Sequence, residues 1–253
     1  MMRANSLTLA LLFAACISNS ATAQPIHWED PQNELWLDGV ETARNFNRFG
    51  DCAHDDSALA VRACTQQLRT LQLPNSGIYQ SDRAYRYTLR ANARVKQGNF
   101  SRALSDYQRA SAAAYGDIYW IHAYRANANF EAGDYQHALQ FYNEAIELEP
   151  DNASLLNARA RLLAIAPDAD VRNGPQAIAD ARVAIALEPE NPGFVATLAA
   201  AYAENGEFDT ATEEQRRAIA LLPEGTNAAV EAFQNRLSLY LQAMPYRAAS
   251  ISE

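Results

Sequence analysis

The chain has 253 residues, of which 49% are hydrophobic and 20% are charged; this composition fits a folded protein with a sizeable core and excludes a disordered tail. Its 21 Lys and Arg residues against 30 Asp and Glu residues give a formal net charge of -9, and the acidic residues are spread along the chain. Because nucleic-acid backbones and anionic lipid surfaces are bound by clustered cationic side chains, we expect neither as a partner.

The N-terminus has the pattern of an export signal. Arg3 supplies a positive start, residues 7–17 form an apolar run of the length of a signal-peptide core, and residues 21–23 (ATA) match a cleavage site. We therefore expect residues 1–23 to be a signal peptide and the protein to be exported, either periplasmic or secreted. The run is too short for a permanent anchor, and no later segment has the roughly 20 apolar residues of a membrane span.

The same segment permits a second interpretation. Residues 13–16 (FAAC) resemble a bacterial lipoprotein signal, in which Cys16 would carry a lipid anchor. Phenylalanine stands where leucine is usual, and a complete cleavage region follows, so the ordinary signal peptide is favoured.

Two cysteines remain after cleavage, Cys52 and Cys64, and in an exported protein they favour one disulfide bond. A helix that begins near Asp55 would carry Cys64 well along its length, so Cys52 would have to fold back along that helix to come within bonding distance. Two buried thiols are the alternative.

Two short regions precede the main part of the chain. Residues 24–50 form a leader with weak helical spacing, whose aromatic side chains are expected to cover the first repeat. Residues 51–83 are predicted to be an N-terminal helical segment, with a helix over residues 55–73 that Asp55 or Asp56 caps and that residues 74–77 (PNSG) end.

From residue 81 onward the chain repeats itself. One row of four alanines recurs at intervals of 35, 39 and 34 residues, and a second row recurs at the same intervals. The rows are Ala103, Ala138, Ala177 and Ala211, and Ala110, Ala145, Ala184 and Ala218. The turns within and after the units are marked by Gly98, Gly133 and Gly206 and by Pro150, Pro189 and Pro223. Each unit is predicted to be a pair of amphipathic helices, and because one pair cannot bury both of its apolar faces, the pairs are predicted to stack.

These units resemble the tetratricopeptide repeat. They span residues 84–118, 119–152, 153–191 and 192–225, and a third row of small residues in their first helices strengthens the resemblance: Ala91, Ala126, Ala160 and Ala199. The resemblance implies an all-α fold, an α-solenoid of stacked antiparallel helix pairs. Residues 226–253 are predicted to supply a capping helix and a tail that frays from Pro245 on.

Arginine stands where the family usually has leucine in the first three units, at Arg90, Arg125 and Arg159. We expect these side chains to pair with acidic residues of the second helices, such as Asp106, and a ligand carboxylate is the alternative.

The third unit has a longer turn, over residues 167–174. Its Asp168 and Asp170 have a spacing that suggests calcium, but Arg172 stands at the next ligand position, so an ordinary polar turn is favoured.

The resemblance places the first helix of each unit on the inner, concave face of the array. The inward-facing positions there carry stacked aromatic rings and stacked asparagines, which suit an extended peptide because amides bond its backbone while rings cover its apolar groups. The predicted peptide-binding residues are Tyr85, Thr88, Asn92, Lys96, Trp120, Asn127, Phe130, Asn157 and Arg161. Alternatively, the aromatic residues pack against the N-terminal segment, or that segment itself fills the groove.

No pattern of a catalytic or metal site is found in the sequence. The four histidines, His27, His54, His122 and His137, belong to no metalloprotease motif, and no phosphate loop or nucleophile elbow is present. We therefore predict an exported, non-enzymatic scaffold or adaptor that needs no cofactor and binds a protein or peptide in the concave face. A structural envelope protein that self-assembles through the ends of the array, and an accessory subunit of an envelope enzyme, are the alternatives.

Overall fold

A computed structural model describes residues 50–70, 77–114, 116 and 118–249. Within these ranges the chain forms ten α-helices, one short 3₁₀ helix and no β-strand. The predicted signal peptide, with Cys16, and the leader up to residue 49 lie outside the described residues.

The helices follow one another with short connections. A 3₁₀ helix, Gly50–Ala53, precedes the first of them. The α-helices are α1 Ser57–Thr70, α2 Gly77–Lys96, α3 Phe100–Ala113, α4 Tyr119–Glu131, α5 Tyr135–Leu148, α6 Ala153–Ile165, α7 Gly174–Leu187, α8 Pro192–Glu204, α9 Phe208–Ala220 and α10 Asn227–Leu241.

The helices pack in chain order as antiparallel pairs. α2 with α3, α4 with α5, α6 with α7 and α8 with α9 form four hairpins, and the second helix of each hairpin packs against the first helix of the next. α1 covers α2 at one end, and α10 covers α9 at the other. The described chain is thus the all-α solenoid of stacked helix pairs that the repeats predict.

Close contact between the helices depends on the three rows of small residues. All members of these rows are 0% exposed: Ala91, Ala103, Ala110, Ala126, Ala138, Ala145, Ala160, Ala177, Ala184, Ala199, Ala211 and Ala218. Protein interiors are close-packed, so a side chain larger than methyl at these points would push the paired helices apart.

Glycine ends the first helix of units one, two and four. Gly98, Gly133 and Gly206 have φ angles of 68°, 80° and 82°, in the region that L side chains rarely adopt. The residue after each glycine donates its N–H to a carbonyl of the last helical turn, at 2.9, 2.8 and 2.9 Å respectively. These bonds satisfy carbonyls that a helix end leaves without partners.

Unit three turns differently, because α6 ends at Ile165 with no glycine behind it. In the longer turn, Asp168 Oδ1 accepts a hydrogen bond from the N–H of Asp170 at 3.0 Å, as in the predicted polar turn. Asn173 Oδ1 accepts from the N–H of Gln176 at 3.1 Å and so caps α7, which begins at Gly174.

A disulfide joins Cys52 to Cys64, with their Cα atoms 4.8 Å apart. The 3₁₀ helix that carries Cys52 folds back against α1, which is the arrangement that the bond requires. The bonded pair is buried, and Tyr85 and Leu89 of α2 pack against it. The disulfide therefore fastens the first described turn of the chain to the end of the array.

The predicted cap of α1 is confirmed. α1 begins at Ser57, and Asp56 Oδ1 accepts hydrogen bonds from the N–H groups of Ala58 and Leu59 at 2.8 and 3.1 Å. α2 begins at Gly77, ahead of the first predicted repeat unit at residue 84.

Two of the three repeated arginines are paired as predicted. Arg90 donates to both oxygens of Asp106 at 2.7 Å each, and Arg94 donates to the same carboxylate at 2.5 Å. Arg159 donates to both oxygens of Asp180 at 2.7 and 2.9 Å. Such two-pronged contacts fix the geometry of the guanidinium as well as its charge.

Arg125 has a different partner. Phe141 stands in unit two where units one and three have their aspartate, and the Arg125 guanidinium lies 3.8 Å from the centroid of the Phe141 ring. Desolvation lowers the pKa of Arg125, and the nearby Glu144 carboxylate opposes that shift. The expected internal pairing is therefore a cation–π contact in this unit rather than an ion pair.

The expectation that the tail frays from Pro245 on is wrong for the described residues up to 249. Ala248 is 6% exposed, and its N–H donates to the carbonyl oxygen of Ile165 at 2.9 Å. Arg247 forms an ion pair with Glu204 of α8. The tail is thus packed against the last two units.

We expect Asp106→Ala to lower the free energy of unfolding by about 3–5 kcal/mol, because it leaves the Arg90 and Arg94 guanidinium groups without their buried partner. Denaturant unfolding followed by circular dichroism measures the change. Arg109 approaches the same carboxylate at 3.6 Å, but its side chain is 57% exposed, so Arg109→Ala should cost less than about 1 kcal/mol. Equal stabilities of the Asp106→Ala protein and its parent would contradict the assignment.

Candidate functional site

Three half-buried aromatic residues, Tyr85 of α2 and Trp120 and Tyr124 of α4, form one cluster, which we call the aromatic surface. The ring centroids of Tyr85 and Trp120 are 6.3 Å apart with planes at 82°, and those of Trp120 and Tyr124 are 6.3 Å apart at 76°. Edge-to-face contacts of this kind are favourable. Tyr124 also stacks on the buried ring of Tyr107 at 6.2 Å. Trp120 is therefore held between two rings of adjacent repeat units.

Tyr124 is not among the residues predicted from the sequence. Its position does not face inward in the family's pattern, yet it follows Trp120 by four residues on the same helix, and that spacing places two side chains side by side. Burial raises the pKa of Tyr124 to about 12, against the opposing effect of a hydrogen bond with Asn92.

The two predicted asparagines make the same contact in successive units. The hydroxyl of Tyr107 donates to Asn92 Oδ1 at 2.5 Å, and the hydroxyl of Tyr142 donates to Asn127 Oδ1 at 2.5 Å. A buried tyrosine hydroxyl needs such an acceptor, so both asparagines serve the packing of their hairpin. Their carbonyl oxygens are already engaged.

Arg161 of α6 continues the surface into unit three. Its guanidinium carbon lies 5.0 Å from the ring centroid of Phe130, and a hydrogen bond from Arg161 partly offsets the effect of burial on the pKa of Tyr142. Phe130 is itself 5% exposed and belongs to the main core, so it positions Arg161 and does not line the surface.

The remaining predicted residues lie in three different environments. Thr88 is 1% exposed and donates to the carbonyl of Ala84 at 3.0 Å, which removes it from the candidate site. Asn157 is 9% exposed, and its Oδ1 has no hydrogen-bond partner among the described residues. Lys96 is exposed at the end of α2.

The inward-facing positions of unit four are covered. Ala196, Ala200 and Ala203 of α8 are buried, in clusters that also contain Phe233 and Tyr240 of α10. The face that a partner can reach is therefore formed by units one to three.

The described ranges contain no candidate metal site and no candidate membrane span. In them, no three His, Cys, Asp or Glu side chains are grouped as metal ligands would be. None of the described helices is both long and apolar enough to span a bilayer.

We expect the stability of the fold to decrease between pH 10 and about 12. Burial raises the pKa of Tyr142 from 10.0 to about 12 in the folded protein. The unfolded chain therefore loses this proton first, so the stabilising contribution is present below pH 10 and is lost as the pH rises through 12. Denaturant unfolding across this range measures the slope. Tyr142→Phe should make the slope shallower, and an unchanged slope would contradict the assignment.

By sequence, the family model of the tetratricopeptide repeat matches residues 119–152. No curated protein matches the chain at the sequence level.

Solved structures resemble the chain over most of its length. A tetratricopeptide repeat protein from Parabacteroides merdae ATCC 43184 is 18% identical with a TM-score of 0.60, over 84% of this chain and 74% of that one. The MamA protein is 17% identical with a TM-score of 0.54, over 76% and 96% of the two chains. YrrB, described as a TPR protein with an unusual peptide-binding site, is 14% identical with a TM-score of 0.52, over 75% and 96%. At such identities the likeness concerns the fold. Together with the repeat matched over residues 119–152 and the stacked hairpins, it shows that the described chain has the fold of a tetratricopeptide repeat array.

Proposed function

We propose that the protein is an exported, non-enzymatic scaffold that binds an extended segment of a partner protein along α2, α4 and α6. The observation that carries the proposal is the aromatic surface, in which Trp120 lies half buried between Tyr85 and Tyr124. Rings that their neighbours already hold in place offer a large apolar contact area, and little conformational entropy is lost when a ligand binds them.

Polar groups beside the rings complement a peptide backbone, which presents one N–H and one carbonyl per residue. The Asn127 carbonyl is engaged by Tyr142, which leaves the amide N–H groups of Asn127 as donors. Asn157 Oδ1 is buried, so a partner peptide does not reach it and Asn157 is left out of the proposed site. Arg161, one helical turn beyond Asn157, adds a positive charge for an acidic side chain or a carboxylate.

The fold supports this proposal. Tetratricopeptide repeat arrays serve as protein-interaction scaffolds, and YrrB, which shares the fold, is described as having a peptide-binding site. In a stacked array, the first helices of units one to three lie side by side and give a segment several residues long a continuous surface on which to lie.

Export is supported by two separate features. The pattern of residues 1–23 is that of a signal peptide, and the disulfide between Cys52 and Cys64 suits an oxidising compartment. We therefore place the binding partner in the periplasm or outside the cell.

We expect Trp120→Ala to weaken peptide binding at least about tenfold, because the central ring of the aromatic surface is lost. The probe is a phage-displayed library of random 12-residue peptides, selected on the purified protein. Calorimetric titration of the enriched peptides then compares the variant with its parent, and circular dichroism checks that helicity is unchanged.

The matched control is Val183→Ser on α7, because Val183 is 47% exposed and lies in the second helix of unit three. It should bind the same peptides as the parent does. Enriched peptides that bind Trp120→Ala as tightly as the parent would rule out the aromatic surface as the site. Asn127→Ala is a poorer test, since it also leaves the buried Tyr142 hydroxyl without its acceptor.

A further inference from the structure

The C-terminal tail, residues 244–249, lies against the end of α6 in the manner of a bound peptide. The N–H of Ala248 donates to the carbonyl of Ile165 at 2.9 Å, and Arg247 Nη1 donates to the carbonyl of Ala164 at 3.3 Å. Arg247 Nη2 donates to Glu204 Oε2. A backbone contact and one arginine thus hold the segment, and Ala248 is buried as a result.

Because unit three lacks a glycine turn, backbone carbonyls at the end of α6 are available to bind the tail. A helix end leaves four carbonyls without partners inside the helix, and the other three first helices satisfy theirs with a glycine turn. At the end of α6 the longer turn supplies the N–H of Asn173 to the carbonyl of Leu163, at 2.9 Å. The carbonyls of Ala164 and Ile165 are the ones that the tail engages. A cation such as Arg247 is also favoured at a helix C-terminus by the helix dipole.

The carboxylate that pairs with Arg247 is held in place from the other side. Arg172 of the longer turn donates from Nε to Glu204 Oε1 at 3.0 Å. The Nη1 group of Arg172 donates to the carbonyls of Ala166 and Pro167 at 2.9 and 2.8 Å. Glu204 therefore presents Oε2 to an incoming arginine without having to reorient.

An apolar wall completes the place. Ala248 belongs to the same buried cluster as Val171, Ala203 and Tyr240, and Tyr246 packs against that cluster. The hydroxyl of Tyr240 is buried and has no hydrogen-bond partner among the described residues. The tail thus packs against the apolar side chains at the end of α6 and leaves the Tyr240 hydroxyl without a hydrogen bond.

We propose that this place, formed by Ala164, Ile165, Glu204 and Tyr240 and called here the arginine dock, is a second peptide-binding site. Its ligand is a segment of another protein in which an aromatic residue is followed by arginine and a small residue, as in Tyr246, Arg247 and Ala248. In the isolated molecule the protein's own tail occupies the dock. The proposal does not rest on the aromatic surface, since the two sites share no residue.

Competition with the tail determines which partners can bind. A tethered segment has an effective concentration on the order of millimolar, so a foreign segment with the same contacts is excluded until it exceeds that concentration. A partner displaces the tail when it makes contacts that the tail lacks, and the unsatisfied Tyr240 hydroxyl offers one such contact.

The test uses a chain that ends at Met244 and a fluorescent synthetic peptide of residues 244–253, followed by fluorescence anisotropy. The shortened chain should bind the peptide at least about tenfold more tightly than the full chain does, because the internal competitor is gone. The peptide with Arg247→Ala should bind at least about tenfold more weakly, since it loses the charged contact. In the shortened chain Glu204→Gln should weaken binding as well, whereas Glu213→Gln, at an exposed residue of α9, should not.

The proposal would be overturned by a folded shortened chain that does not bind the peptide, by equal binding of the two peptides, or by equal binding to the full and shortened chains. If the shortened chain does not fold, the full chain with Arg247→Ala replaces it; a gain in peptide binding over the parent supports the dock, and no gain overturns it. A concentration-dependent dimer of the full chain that disappears on truncation would place the tail in a second copy and overturn closure within one molecule.

Discussion

The structure depends on how closely its helices approach one another at the three alanine rows. Every member of these rows is fully buried, so no unit can vary there without moving its neighbours. In a stack of hairpins with such fixed contacts, the position of each unit sets the position of the next. The side chains that differ between units, above all those on the inner face of the first helices, can then be used for recognition while the spacing of the helices stays constant.

Packing and recognition are nevertheless linked through the tyrosines of the second helices. In units one and two a buried tyrosine hydroxyl donates to an asparagine on the inner side of the first helix, as in the pair of Tyr142 and Asn127. In unit three, Ala181 replaces the tyrosine and Arg161 replaces the asparagine. The Arg161 side chain instead forms a hydrogen bond with Tyr142 of unit two. These tyrosine–asparagine hydrogen bonds therefore hold the first and second helices of a hairpin together, whereas Trp120 takes part in none of them.

Sequence reasoning succeeds where the signal is local and repeated. The alanine rows, the glycine turns and the pairing of Arg90 and Arg159 follow from residue type and spacing alone. It does not reach the burial of Thr88 or the packing of the tail that follows the predicted capping helix. That packing depends on contacts between residues far apart in the chain, such as Ala248 and Ile165, and the last residues of the sequence contain no pattern that predicts them. The missing glycine in unit three is the one local sign that α6 ends in an unusual way.

The two ends of the array are fastened by different bonds. At one end the covalent link between Cys52 and Cys64 holds the first described turn against α1, and at the other Arg247 and Ala248 bind the last described segment to the end of α6. In a linear array the outermost units have a neighbour on one side only, so opening ordinarily begins there. At the second end, opening of unit four must also break the contacts of Arg247 and Ala248 with unit three, so these two units gain cooperativity that their nearest-neighbour contacts alone would not give them.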